Sequence, residues 1–436
     1  MRANGEKVDS IAEEYCTWQT PKLQERIGEL PFKRLTTATS AVVAMTNNRG
    51  APVKTFHCDN CGMQVFFENT VCGNCGWMLG YQPQLQAIAS FSPVEPAPSV
   101  DGGVAPEAMA EPGPGRWRSV RPENEGRVFK QCLNYWHENI CNWMLDEREP
   151  HELCASCRLT RVIPNLEEGN NRVLWSRLET AKRRLLHSLW TLQLQPVPKR
   201  EDEEAGLAFE FMQDLPHGER VLTGHADGVI TINIAEADPA YREQAREQMA
   251  EPYRTLLGHF RHESGHYYFD RLVAPTEWLA PFRELFGDER QDYGQALKTH
   301  YDNGPRADWD QYFVSAYASS HPWEDWAETW AHYLHMFDTL ETAYACGVQL
   351  RPRHEGEQKL VIKAPPVAAG SFDELAREWF ALTYVLNSLN RSIGMPDSYP
   401  FTLTTPVLEK LRFVHEVVNG KRKAGMAAVQ MQEQAA

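Results

Sequence analysis

The run His262-Glu263-Ser264-Gly265-His266 sets two imidazoles four residues apart, with a carboxylate directly after the first. Residues i and i+4 share one face of a helix, so His262 and His266 can both reach a single zinc ion, with Glu263 beside the metal-bound water. A third ligand must then come from a different element. The segment His321-Pro322-Trp323-Glu324-Asp325-Trp326-Ala327-Glu328 offers the best source. Pro322 suits a first helical turn, and Ser319 or Ser320 can cap it. Glu324 and Glu328 share a face, so one can bind the metal while the other holds a ligand histidine by its far nitrogen. Asp270, four after His266, is an outside candidate, otherwise read as a carboxylate at a helix end. Tyr317 can swing a phenol towards a developing oxyanion. His259 lies off the ligand face and reads as a packing histidine. His332 and His335 continue the second helix and read as solvated or hydrogen-bonded within it, and Trp323, Trp326 and Trp330 read as core.

Eight of the ten cysteines fall into two groups of four, leaving Cys16 and Cys346 unmatched. Cys58-x-x-Cys61 and Cys72-x-x-Cys75 stand ten residues apart, and each pair is followed by glycine, Gly62 or Gly76. Two residues between thiolates let one tight turn present both sulfurs to one ion, and Val65-Phe66-Phe67 supports the hairpin of a zinc ribbon. An iron site uses similar knuckles. Cys132, Cys141, Cys154 and Cys157 form a looser set among Tyr135, Trp136 and Trp143. They suggest a second structural zinc, against four buried free thiols.

Taken together, these motifs resemble the bacterial family of zinc-binding metallopeptidases with an N-terminal zinc ribbon. The resemblance rests on the motif over 262–268, His-Glu-x-Gly-His-Tyr-Tyr, and on the stretch from Tyr317 to His335 about fifty residues later. It also includes Cys141-Asn142-Trp143, Cys154-x-x-Cys157-Arg158-Leu159, Gly224-His225-Ala226-Asp227-Gly228 and Asn390-Arg391-Ser392, and it runs from Phe56 to about Val418. The spacing of Tyr317, Glu324 and Glu328 is similar to that of gluzincins of the lethal-factor type. That resemblance implies Glu324 as the third zinc ligand, Glu328 as support for a histidine, and Tyr317 as an aid to the oxyanion.

These residues need elements to hold them. Residues 170–192 carry an apolar stripe and predict a helix, and alternation over 229–234 predicts a strand, the candidate edge for an extended substrate. Asp238-Pro239 starts another helix, and helical patterns fill about 240–272, 276–303, 321–346 and 371–393. The implied organisation is a flexible extension (1–50), a zinc ribbon (51–88), a Pro/Gly-rich linker (89–115) that uncouples it, and a second four-cysteine module (116–165). A zincin-like body (166–420) and a flexible tail (421–436) follow. The fold class is α+β: small zinc-ribbon modules, then a mostly helical metallopeptidase-like domain.

Composition narrows the partners. With 44 Lys and Arg against 59 Asp and Glu, the net charge of −15 disfavours a nucleic-acid binder. No run of 18 apolar residues suggests a membrane span, and the polar start lacks an export signal, so the expected compartment is the cytoplasm, where thiols stay reduced. The expected function is zinc-dependent hydrolysis of a peptide or protein substrate, with Glu263 as general base. One catalytic zinc and one to two structural zincs are implied. The alternatives are a zinc-stabilised scaffold with an inactive site and a zinc-ribbon nucleic-acid binder.

Overall fold

The computed structural model describes residues 55–94, 115–215, 218, 220–368 and 371–435. The extension over 1–50 and most of the linker stretch therefore lie outside the described residues. The cysteine knuckles open the fold. β1 (Phe56–His57) pairs antiparallel with β2 (Gln64–Val65). Gly62 and Gly76 both have φ +74°, a left-handed backbone that only glycine adopts without cost, and each donates its N–H to the carbonyl of the first cysteine of its pair.

β3 (Met78–Gln82) and β4 (Ala87–Pro93) follow, so residues 89–93, assigned to the linker on composition, are strand. Ile88, Ala89, Ser90 and Phe91 are all buried, and that burial outweighs the neighbouring prolines. β5 (Trp117–Ser119), β6 (Phe129–Gln131) and β7 (Met144–Asp146) extend the same sheet in the order β3-β4-β5-β6-β7. Strands from either side of the Pro/Gly tract thus share one sheet, and the two cysteine segments form one folded unit. Tyr135 donates its hydroxyl to the carbonyl of Leu79 at 2.7 Å, and Asn142 donates to that of Phe67 at 2.5 Å.

A second sheet, in the order β10-β11-β9-β8, is built from β8 (Thr160–Val162), β9 (Ala208–Met212), β10 (Gly224–Ala226) and β11 (Val229–Asn233). The strand predicted over 229–234 is β11, and it is interior. Asp227 and Gly228 both have positive φ (48° and 75°) and form a two-residue hairpin turn, which folds β10 back onto β11. β10 and β8 are therefore the edges of this sheet, and β10 is the edge beside β11.

Helix α1 (Asn171–Thr191) lies close to the ribbon, where Arg184 pairs with Glu68. The pattern over 240–272 splits into α2 (Pro239–Gln248) and α3 (Leu256–Tyr268), because Pro252 disfavours helix at the residue before it. The pattern over 276–303 likewise splits into α4 (Leu279–Phe286) and α5 (Tyr293–Asn303), separated by Gly287 at φ 105°. α6 (Pro322–Ala345) and α7 (Phe372–Ser392) match the remaining patterns. α8 (Thr405–Ala435) carries the chain through the segment expected to be a flexible tail, whose Lys- and Ala-rich sequence favours helix. No helix among the described residues is long and apolar enough to cross a membrane.

The pair α3 and α6 positions the site. Trp326 and Trp330 are 0% exposed, and their indole N–H groups donate to the Gly265 carbonyl at 2.8 Å and the Ser264 hydroxyl at 3.1 Å. Truncating such a residue to alanine costs about 3–5 kcal/mol. On the other side of α3, Phe260 packs on Phe209 and Phe211 of β9.

Candidate metal centre

The site begins with two helix starts. Thr255 caps α3 by accepting from the Gly258 N–H at 3.0 Å. His321 caps α6 through Nδ1, which accepts from the Trp323 N–H at 3.1 Å, in place of the serine expected from sequence. With both helices set in register, the donor atoms of His262, His266 and Glu324 lie within 4.8 Å of one another. Glu324 Oε2 stands 3.0 Å from His262 Nε2 and 3.6 Å from His266 Nε2. That oxygen is buried and has no hydrogen-bond partner among the described residues. Two imidazole nitrogens converging on an unsatisfied buried carboxylate oxygen form a donor set that suits zinc.

The surrounding groups fix the orientations of these side chains. Glu328 Oε1 lies 2.7 Å from His262 Nδ1, and Ser315 donates its hydroxyl to Oε2 of the same carboxylate at 2.7 Å. A proton held on Nδ1 by Glu328 leaves the Nε2 lone pair facing the cluster. The other oxygen of Glu324, Oε1, accepts a 2.6 Å bond from the Tyr293 hydroxyl. His266 Nδ1 is buried with no partner among the described residues, and its ring lies 3.9 Å from that of Trp323.

Electrostatics follow from this crowding. Burial alone would raise Glu324, but His262 and His266 beside it hold its carboxyl well below the usual range. His262 is shifted the opposite way: burial disfavours its charge, yet Glu324 and Glu328 together raise it well above an ordinary histidine. Glu263, only 8% exposed, is pushed up by burial, with the two nearby histidines opposing.

Several residues singled out from sequence fall elsewhere. Tyr317 opens a 3-10 turn over Tyr317–Ser320, its ring centroid 6.0 Å from His262. Asp270 is exposed and outside the cluster. His259 faces Glu236 at 3.4 Å and packs behind the site. His332 is not solvated: it is buried against the Tyr399 hydroxyl at 2.7 Å, while His335 is half-buried and packs on the rings of Tyr399 and Trp379. Trp323, expected in the core, instead lines the site beside His266 and His225. His225, on β10, stacks at 6.2 Å on His266, and burial lowers it to about 3, so it is neutral. Sequence reasoning missed Tyr293 and Ser315, which no spacing rule marks. His225 carried a signal, since it precedes the Asp-Gly turn.

The cysteines gather into two further clusters, Cys58, Cys61, Cys72 and Cys75, and Cys132, Cys141, Cys154 and Cys157. In the second, all four are buried and backbone N–H groups of Trp143, Cys154 and Cys157 point at sulfurs of Cys141, Cys132 and Cys154. Such donors stabilise thiolates, and either cluster could hold zinc.

Residues 171–417 match a family described as "Putative zinc-binding metallo-peptidase", and residues 55–168 match a zinc-ribbon domain. The chain belongs to this metallo-peptidase family. One ribbon domain spans both cysteine clusters, in agreement with the shared sheet. Uncharacterized proteins of Mycobacterium tuberculosis and Mycobacterium bovis are 40% identical over 368 residues, covering 84% of this chain and 96% of theirs. No solved structure matches.

Proposed function

We propose that the protein is a zinc-dependent peptidase whose catalytic ion is held by His262, His266 and Glu324. The observation that carries this reading is the convergence of those donor atoms within 4.8 Å, with Glu263 next to His262 in the chain and the Tyr317 ring 6.0 Å from that of His262. Zinc, when bound, would supply an electrophile that acidifies water and polarises the scissile carbonyl. Glu263 takes a proton from the attacking water and passes it to the leaving amine, and burial that raises its basicity suits that task. The Tyr317 phenol donates to the developing oxyanion. Glu328 fixes the tautomer of His262. An extended peptide or protein segment adds to β10 by main-chain hydrogen bonds. Two cysteine clusters hold structural zinc, and cysteine chemistry of this kind suits the cytoplasm.

Glu263→Gln tests the proposal, because it keeps shape and removes the basic oxygen. Zinc content should be unchanged while hydrolysis of a peptide library falls by about 10²–10⁴-fold. Tyr317→Phe should also keep zinc and lose about 10²–10³-fold. A zinc-loaded wild type as inert as Glu263→Gln across the library would replace the peptidase with a zinc-stabilised scaffold.

A further inference from the structure

Resting on the metal-centre reading above, we propose that Tyr293 is a positioning residue: its phenol engages one oxygen of Glu324 so that only the other faces the two histidines. A carboxylate has two equivalent oxygens and can turn either, or both, towards a cation. Here the two differ sharply. Oε1 accepts the Tyr293 hydroxyl at 2.6 Å, while Oε2 stands 3.0 Å and 3.6 Å from the imidazole nitrogens. A hydrogen bond to an ionised acceptor is roughly twice as strong as a neutral one, enough to bias that choice. A catalytic zinc site needs an open position, and a second carboxylate oxygen released towards the ion would compete for it.

The phenol is itself aimed. Tyr293 is the first residue of α5, and Asp292 caps that helix by accepting from the Gln295 N–H at 2.9 Å. The ring sits edge-on to His321 at 5.3 Å and to Trp323 at 5.7 Å. His321 Nε2 lies 3.2 Å from the Gln291 carbonyl, tying the start of α5 to the start of α6. α5 has no buried residue, and Tyr293 itself is 37% exposed, so apolar burial does not explain why a large aromatic stands here. Its polar end does.

The test uses the full chain with its cysteine sites kept zinc-loaded. Zinc affinity of the third site is measured by chelator competition, and cobalt(II) placed in that site reports coordination number through its visible spectrum. Tyr293→Phe keeps both ring contacts and removes only the hydroxyl. Affinity should fall by about 10–100-fold, as losses of groups that orient ligands do. The cobalt absorption should weaken as the freed carboxylate raises the coordination number. Tyr293→Ala should lose little more than Tyr293→Phe. A Phe variant with affinity and spectrum unchanged from wild type overturns the positioning role, as does loss confined to the Ala variant. A wild type that binds no third ion overturns the metal centre itself, and is told apart because it appears before any substitution.

Discussion

Gly265 is not one of the three residues proposed to bind the third ion, yet that proposed site should depend on it. It lies where α3 crosses α6, and a Cβ there would meet Ala327 Cα at 2.9 Å and Trp330 Cβ and Cδ1 at 3.2 Å. Ala327 Cα is backbone and cannot rotate away. Ordinary carbon contacts start near 3.5 Å, so the helices must part locally by about 0.6 Å. Overpacking of that kind costs about 1–3 kcal/mol, partly offset by the roughly 1 kcal/mol that alanine gains over glycine in a helix. The fold should therefore survive Gly265→Ala with a modest loss of stability. The metal site should not, because ligand distances tolerate only about 0.2 Å and Glu324 sits on α6 while both histidines sit on α3. Elemental analysis after dialysis against a weak chelator, with circular dichroism as the control for folding, should show two ions retained at the cysteine clusters and the third lost. A folded Gly265→Ala protein that keeps the third ion at wild-type affinity would refute the claim that this close crossing assembles the site.

Glu324→Ala should strip the third ion, whereas Glu328→Ala should weaken it by about 10–100-fold, since Glu328 only orients His262; the reverse order in a competition titration would move the ligand to Glu328. Because β3 to β7 join both cysteine segments, Cys58→Ala or Cys154→Ala should destabilise that whole sheet, and separate calorimetric transitions for residues 55–94 and 115–168 would contradict the shared sheet. Burial lowers His332 to about 4, against 6.5 when unfolded, so it charges more readily in the unfolded chain. Its contribution is present above pH 6.5 and is lost as pH falls towards 4, by about 3 kcal/mol. His225, His259 and His335 are lowered by burial in the same sense, so thermal melts should show the summed slope and His332→Gln should reduce it without abolishing it.

Residue types and spacing alone determined the chemistry on offer. His262 and His266 share a helical face whatever the tertiary fold, and Cys-x-x-Cys knuckles followed by glycine work through local backbone geometry, so both were legible in one dimension. The Asp227-Gly228 turn was equally local, though its consequence, that β11 is interior and β10 the edge beside it, needed the pairing of β11 with both β10 and β9. Composition misread residues 89–93, because strand burial depends on partners supplied by β3 and β5. Only the tertiary structure decided which carboxylate oxygen meets the histidines, which side chain holds the other, and that Trp323 lines the site while Trp326 and Trp330 fill the core. These are relations between α3, α5 and α6, set by the packing of Gly265 against Ala327. Sequence periodicity assigns a residue to a face of its own helix, but where another helix crosses that face is fixed by the shapes that pack between them.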